Sequence, residues 1–376
     1  MESPVTFRGQ VLRAALLACA LAAVLWASWV LANETANTDF PVLYRAGRIA
    51  LDPGLTNAQL YDRGVSAAIS IPEVTTAAVE KDMHFNWPAS SAYLLAALTW
   101  LPYFQAKAAM VFINIMSYLL ALGLFAASLG VSPRANTRLL ALSCLWPPFL
   151  ETLAFGQING VLLLFITGAA IEARRGHCAL GGLSIALASV FKLFPLGLVA
   201  FLGWLDWRIG LSALLFFTLL LIGQPMQPWL SSMAEAVERH RSLPHIILGG
   251  PSLPALAVYT AFVLAAGVVL ARYGRHLGAE WLATFGVVTV LLASPMMEYY
   301  HLTLAVPAYA YLATREGRTG WVMALLSIAL VSMAKVYDGP SSTTLVWLGL
   351  AVTWVGLALA VLRRNRGTKA LAVVAF

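Results

Sequence analysis

The chain has 376 residues, 60% of them hydrophobic and only 11% charged, where soluble domains carry roughly one charged residue in four. That composition excludes a water-soluble globule. The formal charge of +7 is scattered over short loops and the tail Arg363, Arg364, Arg366 and Lys369, which fits cytoplasmic loops beside anionic lipid and not a nucleic-acid-binding face.

Residues 14–32 form the first apolar run, preceded by Arg8 and Arg13. At about 19 residues it exceeds a signal-peptide core and reads as an uncleaved first span. Apolar stretches of about 20 residues then recur to the C-terminus. The expected fold is an all-α polytopic membrane protein of about 11 spans, within roughly 9 to 13, forming one domain over residues 1–376 in the cell membrane, with membrane lipids as its surroundings. With the basic groups Arg174-Arg175, Arg208, 272–275, 315–318 and the tail on the cytoplasmic side, residues 156–159, 192–195, 294–301, 335–342 and two long loops, 33–87 and 224–251, fall on the extracytoplasmic side.

Two stretches resist this bookkeeping. The hydropathy between Pro88 and Gly130 splits at Leu101-Pro102-Tyr103, so either the first piece is re-entrant or the Arg134/Arg138 loop lies outside. Segments 178–190 and 193–205 are each too short for an ideal span, and a broken helix beside a cavity would accommodate them. Loops as long as 33–87 and 224–251 are usually functional. In the first, Phe40, Leu43, Gly47, Ala50 and Leu51 fall on one face and Arg45 and Arg48 on another, the pattern of a helix lying on the membrane surface. In the second, Trp229, Leu230, Met233 and Val237 form a similar apolar stripe opposite Glu235, Glu238, Arg239 and Arg241.

Several polar residues at the edges of apolar segments could carry chemistry. Asp39 follows the first span in Asn37-Thr38-Asp39-Phe40-Pro41, where helix capping with Pro in the first turn is the competing explanation. An aromatic belt and a proline in the first helical turn explain Trp87-Pro88 at the re-entry point, and leave over His84 and Asn86 just before it. Gln157 and Asn159 open a span and suit either interhelical hydrogen bonding or ligand contact. Lys192 is an isolated cation in Phe191-Lys192-Leu193-Phe194-Pro195, costly at membrane depth unless functional or snorkelling. Glu298, two tyrosines and His301 close the segment that starts at Ser294-Pro295. Cys19, Cys144 and Cys178 show no metal-ligand spacing. No Walker loop, dinucleotide fingerprint or Asp-x-Asp metal motif occurs.

The order of these elements resembles the family-87 glycosyltransferases, membrane enzymes of the GT-C class. The elements are Asp39-Phe40 with Tyr44, Leu60-Tyr61-Asp62, Phe85-x-Trp87-Pro88, Leu101-Pro102, Gly156-Gln157-Ile158-Asn159, Lys192-x-x-Pro195, and Ser294-Pro295 leading to His301. The chain departs from the family pattern at Ala89, where a second proline is usual, and at Met297-Glu298, where Ser-Trp is usual. The resemblance implies a GT-C-type bundle that transfers a sugar, mannose above all, from a polyprenyl-phosphate donor to a lipid or glycan acceptor at the extracytoplasmic face, in building the cell envelope. It implies an inverting displacement with Asp39 as base, Lys192, His301 and Arg45 on the donor phosphate, and Tyr44, His84, Asn86, Gln157, Asn159 and Glu298 near sugar or acceptor. No metal or cofactor is expected. The alternative from the residues alone is a transporter or flippase of a lipid-linked or small polar substrate, for which inverted repeats and short loops would speak.

Overall fold

A computed structural model describes residues 39–69, 71, 85–239, 253–294, 298–335 and 340–374. The expected first span and His84 lie outside the described residues. Within them the chain is all-helical, without strands. Three stretches are long and apolar enough to cross a bilayer: Tyr103–Ser128, Leu256–Leu277 and Thr343–Arg364. Most other apolar helices have 14 to 17 residues, so the described residues do not confirm the expected count of about 11 spans.

The chain begins with α1 (Phe40–Leu51), then the short α2 (Arg63–Ala68) and α3 (Ala89–Ala96), which a 3₁₀ turn, Ala97–Trp100, carries to the Leu101-Pro102 break. The α3 piece and its turn rise far less than the roughly 30 Å of a hydrocarbon core, while α4 (Tyr103–Ser128) has 26 residues. The hydropathy split therefore divides a short segment from one long helix.

The first helix has the expected limits but not the expected faces. Leu51 is exposed, whereas Arg45 is buried and donates Nε–H to the Ile69 carbonyl at 3.1 Å. The loop folds back over Arg45, so the helix is enclosed by protein where a surface helix would meet water. Gly47 allows this closeness, because a Cβ there would stand 2.7 Å from Thr99 Cγ2 and 3.2 Å from Ala96 Cα.

Then follow α5 (Pro133–Cys144), α6 (Pro147–Phe155) and α7 (Asn159–Arg174). Between α6 and α7 the chain bends by 119°. Gly156 makes the bend at φ +65°, and a Cβ there would lie 2.7 Å from Phe40 Cβ, so glycine supplies both the left-handed conformation and the close approach to α1. The next helix, α8 (Cys178–Phe191), ends at Lys192, whose backbone is extended (φ −149°, ψ 128°). Pro195 helps to divert the chain into a 3₁₀ turn, Phe194–Leu198, and the short α9 (Val199–Leu202).

After α10 (Trp207–Leu220) the second long loop contributes α11 (Met226–Arg239). Its buried stripe differs from the expected one. Leu230 is exposed, while Trp229, Ser232 and Ala236 are buried. The remainder comprises α12 (Leu253–Gly274), α13 (Ala279–Ala293), a 3₁₀ turn Tyr299–Ala305, α14 (Val306–Arg315), α15 (Gly317–Met333) and α16 (Pro340–Val374). Apolar helices are thus interrupted at 156–158 and 192–193, and α13 ends before Ser294. Gln157, Lys192, Leu193, Ser294 and Glu298 line one cavity, the situation in which non-helical backbone is tolerated inside a membrane protein.

Candidate active site

The cavity holds about 480 Å³. One end is polar, lined by Asp39, Asn86, Gln157, Lys192, Glu298 and His301, and the remainder is apolar, with Phe194, Trp229, Met233, Leu264 and Val290 among its walls. A long-chain amphiphile has the matching division.

Asp39 stands at the N-terminus of α1, yet its side chain makes no capping bond to that helix. Its Oδ2 instead accepts from Gln157 Nε2 and from the Tyr300 hydroxyl, the latter at 3.3 Å. The capping explanation for Asp39 therefore does not hold in the folded chain. Gln157 reaches the carboxylate because the Gly156 turn brings it beside Phe40, and its Oε1 has no hydrogen-bond partner among the described residues.

Across the polar end, Lys192 Nζ lies 2.6 Å from His301 Nε2. The other ring nitrogen, Nδ1, accepts the Glu298 backbone N–H at 3.0 Å. Lys192 Nζ and His301 Nε2 are within hydrogen-bond distance, and which of them donates follows from the ring tautomer. An arriving anion offers an acceptor to N–H groups of both side chains. Lys192 also stands 4.7 Å from the Tyr300 ring centre and 5.9 Å from that of Trp87.

The re-entry segment 85–88 is held through its backbone. Ser232 Oγ donates to the Phe85 carbonyl, Trp229 Nε1 to that of Asn86, Tyr61 OH to that of Trp87 and Ser91 Oγ to that of Pro88, at 2.7 to 3.1 Å. Burial keeps the Tyr61 phenol above its usual range and so a donor. In the same motif Leu60 is buried and Asp62 caps α2, accepting from Gly64 and Val65 N–H. Leu60-Tyr61-Asp62 thus props up the wall that carries Asn86 and Trp87, and α11 covers it from the second loop.

Three sequence candidates do not line the cavity. Tyr44 donates its hydroxyl to the Leu101 carbonyl at 2.8 Å, Arg45 is engaged with Ile69, and Asn159 is fully buried, donating Nδ2–H to the Tyr300 carbonyl at 3.0 Å and to Thr152 Oγ1 at 3.1 Å. Asn159 and Thr152, which donates to the Tyr300 carbonyl at 3.3 Å and pairs with Thr303 at 3.0 Å, bolt the 3₁₀ turn to α6 and α7. Tyr300 itself was not singled out in sequence. Two adjacent tyrosines gave no sign of which faces the cavity, and Tyr299 turns away to the Val331 carbonyl.

The family model of glycosyltransferase family 87 matches residues 85–295, more than half of the chain. The chain belongs to glycosyltransferase family 87. Membership decides for a glycosyltransferase over a transporter and agrees with a membrane protein. The matched stretch carries Asn86, Trp87, Gln157 and Lys192, whereas Asp39, Glu298, Tyr300 and His301 come from outside it and meet them only in three dimensions. No curated protein matches the chain.

Proposed function

We propose that this family-87 enzyme transfers a sugar, mannose in the first instance, from a polyprenyl-phosphate donor to a hydroxyl of a lipid or glycan acceptor at the extracytoplasmic face of the cell membrane. The observation that carries this reading is a carboxylate, Asp39, sharing one cavity with the Lys192–His301 pair while most of the other lining residues are apolar. A nucleotide-sugar enzyme would ordinarily present a water-facing catalytic domain, whereas a lipid phosphate brings its sugar to a cavity of this kind.

In the reaction Asp39 takes the proton of the acceptor hydroxyl as its oxygen bonds to the anomeric carbon. The bond from that carbon to the phosphate oxygen breaks with its electron pair, and polyprenyl phosphate leaves. Lys192 and His301 stabilise the negative charge that develops there. Gln157, Asn86 and Glu298 provide hydrogen-bonding groups for the sugar and acceptor, and Arg45 holds the loop. One displacement inverts the anomeric centre, and no covalent sugar-enzyme intermediate forms.

Purified protein incubated with radiolabelled polyprenyl-phosphate mannose, glucose or arabinose and extracted lipids tests the donor class. Label should pass from at least one lipid-phosphate sugar to an organic-phase or glycan product, mannose being the first expectation. Transfer from a nucleotide sugar, with none from any lipid-phosphate sugar, would contradict the reading.

A further inference from the structure

Tyr300 touches both halves of the polar end. Its hydroxyl stands 3.3 Å from Asp39 Oδ2 and 3.4 Å from Gln157 Nε2, and its ring centre lies 4.7 Å from Lys192 Nζ. The direction of these bonds follows from the chemistry of the groups. The amide nitrogen can only donate and an ionised carboxylate can only accept, so the phenol receives from Gln157 and gives its one proton to Asp39. The ring is meanwhile within the roughly 6 Å at which an ammonium is held by an aromatic face. Its edge meets His301, with centroids 4.7 Å apart, and its backbone carbonyl is fixed by Asn159 and Thr152. The side chain is buried, so neither contact is an incidental surface encounter.

We propose that Tyr300 is a positioning residue with two separable tasks: its hydroxyl orients the Asp39 carboxylate for proton transfer, and its ring holds Lys192 where the donor phosphate binds. This rests on the assignment of Asp39 as base and Lys192 as phosphate ligand. It makes the base and the cation parts of one preorganised unit, linked through a single side chain.

The two tasks respond differently to substitution. Tyr300→Phe keeps the ring and removes the hydroxyl, while Tyr300→Leu removes both. A hydrogen-bond donor to a carboxylate favours its ionised form, and catalysis through Asp39 fails as pH drops and the carboxylate is protonated. Removing the donor raises the pH at which this happens. Besides Gln157, the charged or titratable groups that share the cavity with Asp39 are Lys192, Glu298 and His301, and Tyr300→Phe leaves all of them in place.

In Tyr300→Phe, kcat should fall about tenfold or more, and the acid limb of kcat/KM should move up by about one pH unit, the order of one charge-assisted hydrogen bond. Its donor Kd should stay as in the wild type. In Tyr300→Leu, donor Kd should also rise, by about three- to tenfold. In an Asp39→Asn background, adding Tyr300→Phe should cost little further rate, because both act on the same proton transfer. A Tyr300→Phe protein with the wild-type acid limb overturns the proposal, as does a Tyr300→Leu protein with wild-type donor Kd. A Tyr300→Phe protein that fails to fold overturns it too, since the hydroxyl would then be structural. Wild-type protein that transfers nothing from lipid-phosphate sugars would instead count against the donor assignment, so the two failures are told apart.

Discussion

Asp39→Asn should fold, bind the lipid-phosphate donor with unchanged Kd, and transfer sugar roughly 10²- to 10⁴-fold more slowly, the usual cost of losing a general base. The substitution separates two roles, because asparagine keeps an acceptor oxygen and ranks with aspartate as an N-cap but cannot take a proton from the attacking hydroxyl. Asp39 makes no capping bond to α1 and directs its Oδ2 to Gln157 and Tyr300, so little helix stability is at stake. Asp52 and Asp62 are the controls. Asp52 accepts the Gly54 N–H at 2.8 Å and Asp62 caps α2, tasks that asparagine performs as well, so Asp52→Asn and Asp62→Asn should stay near the wild-type rate. The measurements are transfer at saturating donor, equilibrium donor binding and a thermal melt in detergent. Near-wild-type transfer by Asp39→Asn would remove the base assignment.

Lys192→Gln should weaken donor binding about tenfold or more, since a hydrogen bond to a charged group contributes about 1.5 to 3 kcal/mol. It should also lower kcat, because charge grows on the phosphate oxygen as the bond to the sugar breaks. The local geometry suits the proposed role. The helix ends there, the backbone turns extended, and the ammonium points among His301, Tyr300 and Trp87. His301→Ala should weaken binding as well, by removing one nitrogen of the pair. Both effects are read by donor titration against protein whose expression and melting are normal. Unchanged Kd in both variants would make the pair structural.

Much of the site was legible in the sequence because it is made of polar residues at interruptions of apolar segments. Asp39, Asn86, Gln157, Lys192, Glu298 and His301 all line the cavity, although the local pattern at Asp39 suits a helix cap and only the family resemblance singles it out. What hydropathy could not give is the direction of a side chain inside a covered loop. Tyr44 and Arg45 share α1 with the approach to Asp39, but Tyr44 is turned to the Leu101 carbonyl and the Tyr103 ring and Arg45 to the Ile69 carbonyl, and no local pattern announces those partners. Asn159 sits two residues from Gln157 and differs only in the turn of the helix, which aims it at the Tyr300 backbone. The span count was the least legible quantity, because a broken helix and two short ones have the same hydropathy. The 119° bend at Gly156 and the extended backbone at Lys192 appear only in three dimensions.

The roles assigned to Asp39 and to the Lys192–His301 pair come together in one displacement at the anomeric carbon, and the stereochemistry of the product reports on it directly. A polyprenyl-phosphate sugar of known anomeric configuration is converted by the purified protein, and the configuration of the new glycosidic bond is read by NMR. Inversion is expected, because a base that only removes the acceptor proton leaves one attack on the sugar. Retention, with a sugar trapped on Asp39, would make that carboxylate a nucleophile and contradict the mechanism.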